Sequence, residues 1–568
     1  MTLKTLLKRT LIAQLATTLA ATLTACGGGS DDTPTTPPTP PAPASLTVGG
    51  TAATGAALAA ASVQVKCAVG SGSATTAADG TFKVSITGAS LPCVLSASNS
   101  TITLHSLVES GSATSVTANV TPLTEILTAS VAGGDAAAMF STFDAAAQAK
   151  LTSTAVTAAR AQLTAALQGV IDLSGVDPLK DVLVAANGGT AGNKLDQALD
   201  TLALALKASG TPLADLSAAV VSNDKTPAVV QTLLKPVAST CAGLRSGSYR
   251  ALDLNVASTA LASARVTVDV SALSFTGADG QAKALKDEGS CHFSTDGGTT
   301  HLYVAKSGLA LMAKPDAQAV MRPIVLVPEQ TLPVSEVAGH WNIIGYGMDD
   351  EDIATGAPTS STPGVGYSDE IMNDKGEVTS GADCLGLAAC QSWTPRASDT
   401  WSADPDGGFY TIDPEYPTVK TRYFLFKGSN GQTVFFAVRV GGHGTLLAVA
   451  AKQQALSLPS VGQIDKFWDA TITGNSLALP DDVQMTVQSV DTVAQAYTRL
   501  RSSDGRVDGF SINQPRPGMR DRPAGSSQTS GGVKKFKENL VIPLNGLGLT
   551  FSGSADGADT FGISVGKP

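Results

Sequence analysis

Aromatic residues divide this chain near residue 240. All four Trp, all eight Tyr and 12 of the 15 Phe follow that point, whereas residues 121–240 contain 27 Ala and only two Phe. Ala is the strongest helix former, and aromatic residues are enriched in strands. A single architecture along the whole chain is therefore excluded. We expect a multidomain protein in which an Ala-rich all-α section precedes a large antiparallel all-β section.

The N-terminus has the pattern of an export signal. Three cations at positions 4–9 precede an apolar stretch, residues 11–25, that is too short to span a bilayer. The stretch ends in Leu23-Thr24-Ala25-Cys26, which resembles the lipobox of bacterial lipoproteins. The resemblance implies that residues 1–25 are a signal peptide and that Cys26 carries acyl chains, palmitate among them, as a membrane anchor. An ordinary secretory signal is the alternative.

Gly27 follows the predicted lipidation site. In lipoproteins, Asp at this position is typical of inner-membrane retention, so the resemblance implies anchoring in the outer membrane, with the folded part facing the periplasm or the exterior. Residues 26–45 combine Gly with Pro-rich sequence. This composition predicts a linker that begins flexible and continues stiffer, holding the folded part away from the membrane.

The charge balance limits the partners. Lys and Arg total 38 against 48 Asp and Glu, a net charge of −10, and loss of the three signal-peptide cations leaves 35 against 48, or −13. Such a surface is a poor partner for nucleic acid. The main basic stretch, residues 499–537, is interrupted by Pro, Gly and Ser. We interpret it as a solvated loop, with weak contact to anionic lipopolysaccharide as the alternative.

Six cysteines remain once Cys26 is lipidated, and an even number in an exported chain indicates disulfides. No Cys-x-x-Cys pair occurs, so a zinc or thioredoxin-like centre has little support. Several pairings are formally open, and the order of the sections favours the sequential one: Cys67 with Cys93, Cys241 with Cys291, and Cys384 with Cys390.

Residues 46–120 have the alternating pattern of strands. Val63 and Val65 alternate with polar neighbours, and an Asp79-Gly80 turn starts a strand with Phe82 and Val84 on one face. The turn, Asp79-Gly80-Thr81-Phe82, and the strand at Val63 resemble the carboxypeptidase regulatory-like domain. That resemblance implies a small, non-catalytic β-sandwich of transthyretin or immunoglobulin type, in which a disulfide between residues 67 and 93 joins two strands.

Residues 121–240 carry helix signals. A residue before Pro is driven into the extended region that suits an N-cap, and Pro fits the first helical position. The helix starts predicted in this way are Thr121-Pro122, Asp177-Pro178, Thr211-Pro212 and Thr226-Pro227. Apolar stripes at helical spacing predict the core. They are Leu163, Leu167, Val170 and Ile171, and Leu195, Leu199, Leu202 and Leu206.

Residues 241–568 predict β structure. Runs at 423–427, 433–440 and 445–450, separated by an Asn430-Gly431 turn and a Gly-rich turn containing His443, predict a three-stranded meander. Trp341 and Trp468 each follow a Leu-Pro pair and open a strand. Gly339-x-Trp341 resembles the strand opener of lipocalin-type barrels, which implies that Trp341 closes a barrel floor. We expect two related β units, barrel-like or propeller-like.

Motifs with catalytic or metal-binding spacing are few. Gly562-Ile563-Ser564-Val565-Gly566 matches the nucleophile elbow, but no acid and His follow it, so we interpret it as a terminal strand. His292 and His301 are weak metal candidates. A two-residue Asp296-Gly297 turn would place them opposite each other, whereas a Gly297-Gly298 turn would separate them. A polar cross-strand pair is the simpler interpretation.

Acidic residues cluster at two places, 349–352 and a Gly turn flanked by Asp404, Asp406 and Asp413. Their spacing lacks the twelve-residue loop of a calcium site. We interpret both clusters as solvated loops, and the sequence indicates no metal and no cofactor.

The favoured function is binding or scaffolding by an outer-membrane lipoprotein rather than catalysis. Aromatic residues at exposed β positions suit contacts with a glycan or a protein. The candidates are Trp341, Trp393, Trp401 and Trp468. One alternative is a lipocalin-like carrier of an apolar ligand, which predicts a cavity of at least about 300 Å³. The other is an extracytoplasmic hydrolase, which needs a convergent acid, base and nucleophile.

Overall fold

The computed structural model describes residues 45–186, 191–223, 226–254, 259–348, 363–385, 389–414, 417, 419–441, 444–474, 476–555 and 560–568. The predicted signal peptide, Cys26, nearly all of the linker, the acidic run at 349–352 and His443 lie outside these residues. Among the described residues, strands make up 47% and helices 18%. The prediction of a multidomain, mostly antiparallel β protein with a smaller helical section is confirmed. No helix among the described residues combines the length and apolarity needed to cross a membrane.

Residues 45–117 form the predicted β-sandwich. One strand begins after a turn in which Gly80 has a φ of +78°, a conformation that favours glycine. Phe82, Val84 and Ile86 then project from one face of that strand into the core. The strands are β1 (Ser45–Thr51), β2 (Ser62–Val69), β3 (Ser71–Thr75), β4 (Thr81–Thr87), β5 (Ser90–Ser98), β6 (Thr103–Val108) and β7 (Ser115–Thr117).

Two sheets make the sandwich, one in the order β4-β1-β7 and the other in the order β3-β2-β5-β6. Cys67 and Cys93 occupy directly opposed positions of β2 and β5 and form a disulfide. The predicted link between two strands is confirmed.

Among the described residues, seven helices follow, and they pack around one apolar core. They are α1 (Pro122–Ala132), α2 (Ala136–Ser141), α3 (Ala145–Lys150), α4 (Ser153–Leu167), α5 (Lys194–Ser209), α6 (Leu213–Ser222) and α7 (Pro227–Leu233). Most of the predicted stripes are buried in that core, Leu163 and Leu167 from α4 and Leu195 from α5 among them. Val170 and Ile171 lie beyond the end of α4.

The predicted helix starts are confirmed at two places. Thr121 caps α1 with its side chain, and α7 begins at Pro227 after Thr226. At 211–212, helix α6 begins one residue later than predicted, because its N-cap is Pro212 and not Thr211. The start predicted at Asp177-Pro178 is wrong. There the Asp181 carboxylate accepts the backbone N–H of Asp177 at 2.8 Å, which closes a single turn instead of a helix.

The first barrel comprises residues 247–328. A hairpin of β8 (Val237–Ala238) and β9 (Cys241–Arg245) precedes it, and the disulfide Cys241–Cys291 ties β9 to the barrel. Its elements are β10 (Gly247–Asp253), α8 (Thr259–Ala262), β11 (Ser263–Asp269), β12 (Ser274–Thr276), β13 (Ala282–Ala284), β14 (Lys286–Gly289), β15 (His292–Thr295), β16 (Thr300–Val304), β17 (Ala310–Pro315) and β18 (Met321–Pro328).

These strands form one sheet in the order β13-β12-β11-β10-β18-β17-β16-β15-β14. Only Leu285 separates the two edge strands, β13 and β14. The chain therefore joins the two edges of the sheet directly.

The second barrel comprises residues 339–452. Its strands are β19 (Gly339–Met348), β20 (Gly364–Met372), β21 (Val378–Leu385), β22 (Ala389–Trp393), β23 (Ser402–Ala403), β24 (Phe409–Ile412), β25 (Lys420–Lys427), β26 (Thr433–Gly441) and β27 (Gly444–Lys452). The sheet order is β22-β21-β20-β19-β27-β26-β25-β24-β23. The edge strands β22 and β23 again follow each other in the chain, and the disulfide Cys384–Cys390 links β21 to β22. β25, β26 and β27 are the predicted meander, which is confirmed.

The third barrel comprises residues 464–566. Its strands are β28 (Ile464–Thr473), β29 (Ser476–Leu477), β30 (Asp481–Asp491), β31 (Ala496–Arg501), β32 (Val507–Ile512), β33 (Arg520–Arg522), β34 (Gly525–Thr529), β35 (Gly532–Phe536), β36 (Asn539–Leu544), β37 (Leu549–Ser554) and β38 (Thr560–Gly566). β34 and β35 form a separate hairpin. The other strands run in the order β29-β28-β30-β31-β32-β33-β36-β37-β38, and pairing of β28 with β38 closes the barrel.

The expectation of two related β units is therefore wrong, because three nine-stranded sheets follow one another. The first lacks the Leu-Pro and Trp pattern by which the other two are recognised in the sequence. The three barrels pack together through their outer faces in the largest apolar cluster of the molecule, to which Leu311, Phe436 and Phe551 contribute, one from each barrel.

Candidate functional site

The interiors of the three barrels differ in kind. Apolar side chains such as Tyr249, Phe293 and Met312 fill the first, and Trp341 and Phe435 belong to the core of the second. In the third barrel, charged and polar side chains occupy many of the inward positions. Small closed barrels are either filled by side chains or hold one small ligand. The third barrel is therefore the place to look for a ligand site.

β31, β32 and β33 supply its basic side chains. Alternate residues of a strand share a face, and Tyr497 and Arg499 of β31 lie opposite Phe510 and Asp508 of β32. Arg520 of β33 continues this inward face. The interpretation of residues 499–537 as a solvated loop is therefore wrong. The prolines at 515 and 517 fall in the turn between β32 and β33, so they leave the strands intact.

Asp508 is the central carboxylate among these cations, and its side chain is only 1% exposed. Arg506 Nε donates a hydrogen bond to Asp508 Oδ2 at 3.0 Å, and Arg522 Nη1 lies 3.6 Å from Asp508 Oδ1. Burial lowers the pKa of Arg522, and Asp508 opposes that shift. One carboxylate thus serves two guanidinium groups, which leaves a positive excess.

Arg499 and Arg520 are neutralised less. Arg499 Nη1 lies 3.7 Å from Asp465 Oδ2, a side chain that is 37% exposed, and its guanidinium lies 4.6 Å from the ring centroid of Phe510. Arg520 forms no ion pair with any residue that the structure describes. Burial lowers the pKa of Arg520, which Tyr497 opposes and Arg499 reinforces. Because arginine stays protonated in proteins, both positive charges remain.

Asp469 of β28 also lies inside this barrel. Ser564 Oγ donates a hydrogen bond to Asp469 Oδ1 at 2.7 Å. Burial raises the pKa of Asp469, although Ser564 and three arginines of the interior oppose the shift. A carboxyl with a raised pKa loses its negative charge more readily as the pH falls, which increases the positive excess. Ser564 lies in β38, so the strand interpretation of its motif is confirmed.

These side chains line a cavity of about 580 Å³, within the size range of small-molecule sites. Exposed residues such as Ile464 and Asn545 also line it, so it opens to solvent. Its charged lining consists of four Arg (Arg499, Arg506, Arg520 and Arg522) and three Lys (Lys306, Lys466 and Lys567) against three Asp (Asp465, Asp469 and Asp508).

Several hydrogen-bond donors in this interior have no acceptor among the described residues. Nε of Arg499, Arg501 and Arg522 is buried without a hydrogen-bond partner among the described residues. An unsatisfied buried donor is costly, whereas carboxylates and phosphates accept bidentate hydrogen bonds from arginine. The arrangement is therefore suited to binding a small anion.

His292 and His301 lie where the first and third barrels meet. The turn between β15 and β16 has four residues, so His292 pairs with Tyr303 and His301 with Ser294. Direct opposition of the two histidines is therefore wrong. They are diagonal neighbours, and His292 Nε2 lies 3.0 Å from His301 Nδ1. No group of three His, Cys, Asp or Glu side chains that could hold a metal occurs in the described part of the chain.

The four tryptophans occupy different environments. Trp341 is 0% exposed and donates its indole N–H to the Val337 carbonyl at 2.7 Å, and Trp401 is 5% exposed. The expectation that they lie at exposed positions is wrong for these two, because they fill the second barrel. Trp393 lies against Gly381, where a Cβ would come within 2.1 Å of its ring. Trp468 packs between the first and third barrels, with its ring centroid 5.4 Å from that of His292.

Asp404 and Asp406 belong to an ion-pair network between the first and second barrels. Arg250, whose side chain is 2% exposed, donates to Asp406 Oδ2 at 2.8 Å, and Arg422 Nε donates to Asp404 Oδ2 at 3.0 Å. The hydrogen bond from Arg250 lowers the pKa of Asp406 to about 2. Interpretation of this stretch as a solvated loop is therefore wrong for Asp404, whose side chain is 4% exposed, whereas Asp406 is ion-paired but 55% exposed. Asp413 lies 3.5 Å from Arg396 in an ion pair nearby.

A hydrolytic site has only partial support. The Ser564–Asp469 pair has no histidine beside it among the described residues, since His105 pairs with Glu125 and His340 with Asp369. In the second barrel, burial and the neighbouring Asp383 raise the pKa of Glu370 to about 7. This carboxyl pair is the feature closest to acid–base chemistry.

The cavity was not predicted from the sequence, because the basic residues at 499–537 were interpreted as one charged loop and their alternation along strands was overlooked. Arg499 and Arg501, and likewise Arg520 and Arg522, are separated by one residue, which puts each pair on one face of a strand. Alternation within the basic stretch was the available signal.

No family model and no curated protein matches the sequence. Among solved structures, the chain is similar to a protein of unknown function of the DUF3598 family from Nostoc punctiforme, at 12% sequence identity. The match covers 42% of this chain and 99% of that protein, with a TM-score of 0.14. A score this low carries no argument about fold or function, so the function is argued from the site.

Proposed function

We propose that this protein is a lipid-anchored binding protein of the bacterial cell envelope, and that its third barrel binds a small anionic solute. The observation that carries the proposal is the excess of cations in the cavity, seven against three carboxylates. Buried guanidinium groups without a partner are expensive. A bound carboxylate or phosphate would satisfy the donors that the described residues leave unpaired.

The tryptophan-based version of the favoured hypothesis, and the alternative of an apolar-ligand carrier, fit the site less well. An apolar ligand would leave Arg499 and Arg520 without an anion. It would also displace water from them, which raises the free-energy cost of burying these charges. A macromolecular ligand gripped by exposed tryptophans is disfavoured because Trp341 and Trp401 are buried. Nucleic acid is disfavoured by the net charge of −10.

Isothermal titration of the full chain in detergent with inorganic phosphate, citrate and D-glucuronate tests the binding proposal. We expect at least one of them to bind, with an affinity that falls as salt is added, because the attraction is electrostatic.

Arg520→Met removes the charge and donors but keeps the length of the side chain. We expect it to weaken binding at least about tenfold, since a hydrogen bond to a charged group contributes roughly 1.5–3 kcal/mol. Lys535→Ala, at an exposed position of the same barrel, is the matched control and should bind like the wild type. Equal affinity of Arg520→Met and wild type would refute the assignment of this cavity.

The proposed location in the cell envelope depends on the resemblance of residues 23–26 to a lipobox, and it is tested separately. We expect Cys26→Ala to move the protein from the membrane fraction to the soluble fraction, because one residue carries all the acyl chains. Outer-membrane anchoring predicts that the wild type sediments with outer-membrane markers. Unchanged fractionation of the variant would show that Cys26 is not the anchor.

A further inference from the structure

The interior of the third barrel has two chemically different walls. Guanidinium groups of Arg499, Arg520 and Arg522 line the wall made by β31 and β33. Apart from Lys466 of β28, the wall made by β36, β37, β38 and β28 carries neutral or acidic hydrogen-bonding groups. They are Asn539, Thr550, Ser552, Ser564 and Asp469.

The register brings the polar groups of the second wall together. Thr550 lies opposite Ser564, and Ser564 lies opposite Asp469 on the next strand. Ser552 lies opposite Gly562, and a Cβ at Gly562 would come within 2.5 Å of Ser552 Oγ. Glycine at this position leaves space for that hydroxyl. The polar wall is thus a continuous patch across adjacent strands.

This wall is short of donors. Asp469 receives one hydrogen bond, from Ser564, and Asn539 Oδ1 is buried with no hydrogen-bond partner among the described residues. Buried acceptors need donors as much as buried guanidinium groups need an anion. A bare phosphate, or a carboxylate on an apolar chain, would satisfy the guanidinium wall and leave these acceptors unmet.

We infer that the ligand is an acidic sugar, a compound that carries one carboxylate or phosphate together with several hydroxyl groups. The inference rests on the proposed function. The anionic group binds Arg499 and Arg520, and the hydroxyl groups donate to Asp469 and Asn539. Phe467 and Phe510, which also line the cavity, offer apolar surface to the C–H faces of a sugar ring.

A matched pair of ligands tests the inference on the full chain in detergent. D-glucuronate and cyclohexanecarboxylate share a six-membered ring and a carboxylate, and differ in the hydroxyl groups. Sites built to hydrogen-bond a hydroxyl reject analogues that lack it. We expect glucuronate to bind at least about tenfold more tightly, and glucose 6-phosphate to exceed inorganic phosphate likewise. The two sugars show which anionic group is preferred.

The variants Ser564→Ala and Asp469→Asn test whether the polar wall binds the hydroxyl groups of the ligand. We expect each to reduce the preference for glucuronate over cyclohexanecarboxylate at least about threefold. Ser489→Ala, at an exposed position of the same barrel, is the control and should keep the wild-type preference. Should Asp469→Asn fail to fold, as shown by its thermal unfolding, Ser564→Ala alone carries this comparison.

The outcomes separate the two claims. If cyclohexanecarboxylate and phosphate bind as tightly as the sugars, the acidic-sugar inference is overturned while anion binding stands. If no anion binds, both are overturned. A preference for the sugars that Ser564→Ala leaves intact would overturn the assignment to this wall.

Discussion

Arg520 is the residue that links this sequence most directly to a ligand. Its guanidinium lies inside a closed barrel beside Arg499, and among the described residues only Tyr497 and the more distant Asp465 oppose the effect of burial on its pKa. Removal of a buried charge that forms no ion pair also removes the free-energy cost of taking that charge out of water. Arg520→Met should therefore keep the fold while it loses the ligand, which separates a binding role from a structural one.

His292 gives a prediction for stability at mildly acidic pH. Burial lowers the pKa of His292, with His301 and Lys567 reinforcing the shift and Glu288 opposing it. The unfolded chain therefore takes up the proton more readily than the folded protein. Stability should be lost as the pH falls from about 6.5, the ordinary value for histidine, towards the lower folded pKa.

Urea unfolding at pH 7.5 and pH 5.5 checks this expectation. His292→Gln should lose less stability between these two pH values than the wild type, because it has no proton to bind at this position. If both proteins lose the same amount, protonation of His292 does not contribute to the loss.

At the scale of elements, the disulfides fix connections of different length. Cys241–Cys291 ties β9 to the first barrel across 50 residues, whereas Cys384–Cys390 closes a turn of six. In the chain-entropy model, removal should cost about 4 kcal/mol for the longer loop and about 2.4 kcal/mol for the shorter. Paired Cys→Ser variants, compared by denaturant unfolding, should show the larger loss for the longer loop. The reverse order would mean that native-state strain outweighs loop entropy.

Elements with a local signal were predictable from the sequence. The Asp79-Gly80 turn, the Thr121-Pro122 helix start and the meander of β25 to β27 each depend on a few adjacent residues. The three disulfides followed from the order of the sections. The helix start predicted at Asp177 was wrong. There the backbone N–H of Asp177 donates to the Asp181 carboxylate, a local interaction that competes with helix formation.

Features set by distant pairing were not predictable in this way. β28 and β38 are almost a hundred residues apart, and the sequence of neither strand predicts that they pair. The same closure turns alternate arginines of β31 and β33 into the lining of a cavity. His292 and His301 show the effect on a small scale, since a turn of four residues instead of two changed their register.

At the scale of the whole molecule, the three barrels should differ in stability. Their outer faces share one apolar cluster, but the interior of the third is charged and contains a cavity. Less apolar burial means easier local opening. In hydrogen exchange, we expect the amides of β31 to β33 to exchange before those of β17 and β26.

A bound anion should reduce this difference in exchange rate. A ligand present at 100 times its dissociation constant stabilises the state that binds it by about 2.7 kcal/mol. Protection should therefore rise in β31 to β33 and remain unchanged in β17. Protection that rises equally in all three barrels would point to a ligand bound elsewhere.

Closure of the third barrel by β28 and β38 also has a bearing on when the protein can first hold a ligand. Residues 560–566 are synthesised after the other strands of this barrel, and until they pair, the arginines of β31 and β33 face an open sheet. On the proposed envelope location, a chain exported unfolded would complete this sheet only after export. It would arrive empty, so its occupancy would report the solutes of the envelope and not those of the cytoplasm.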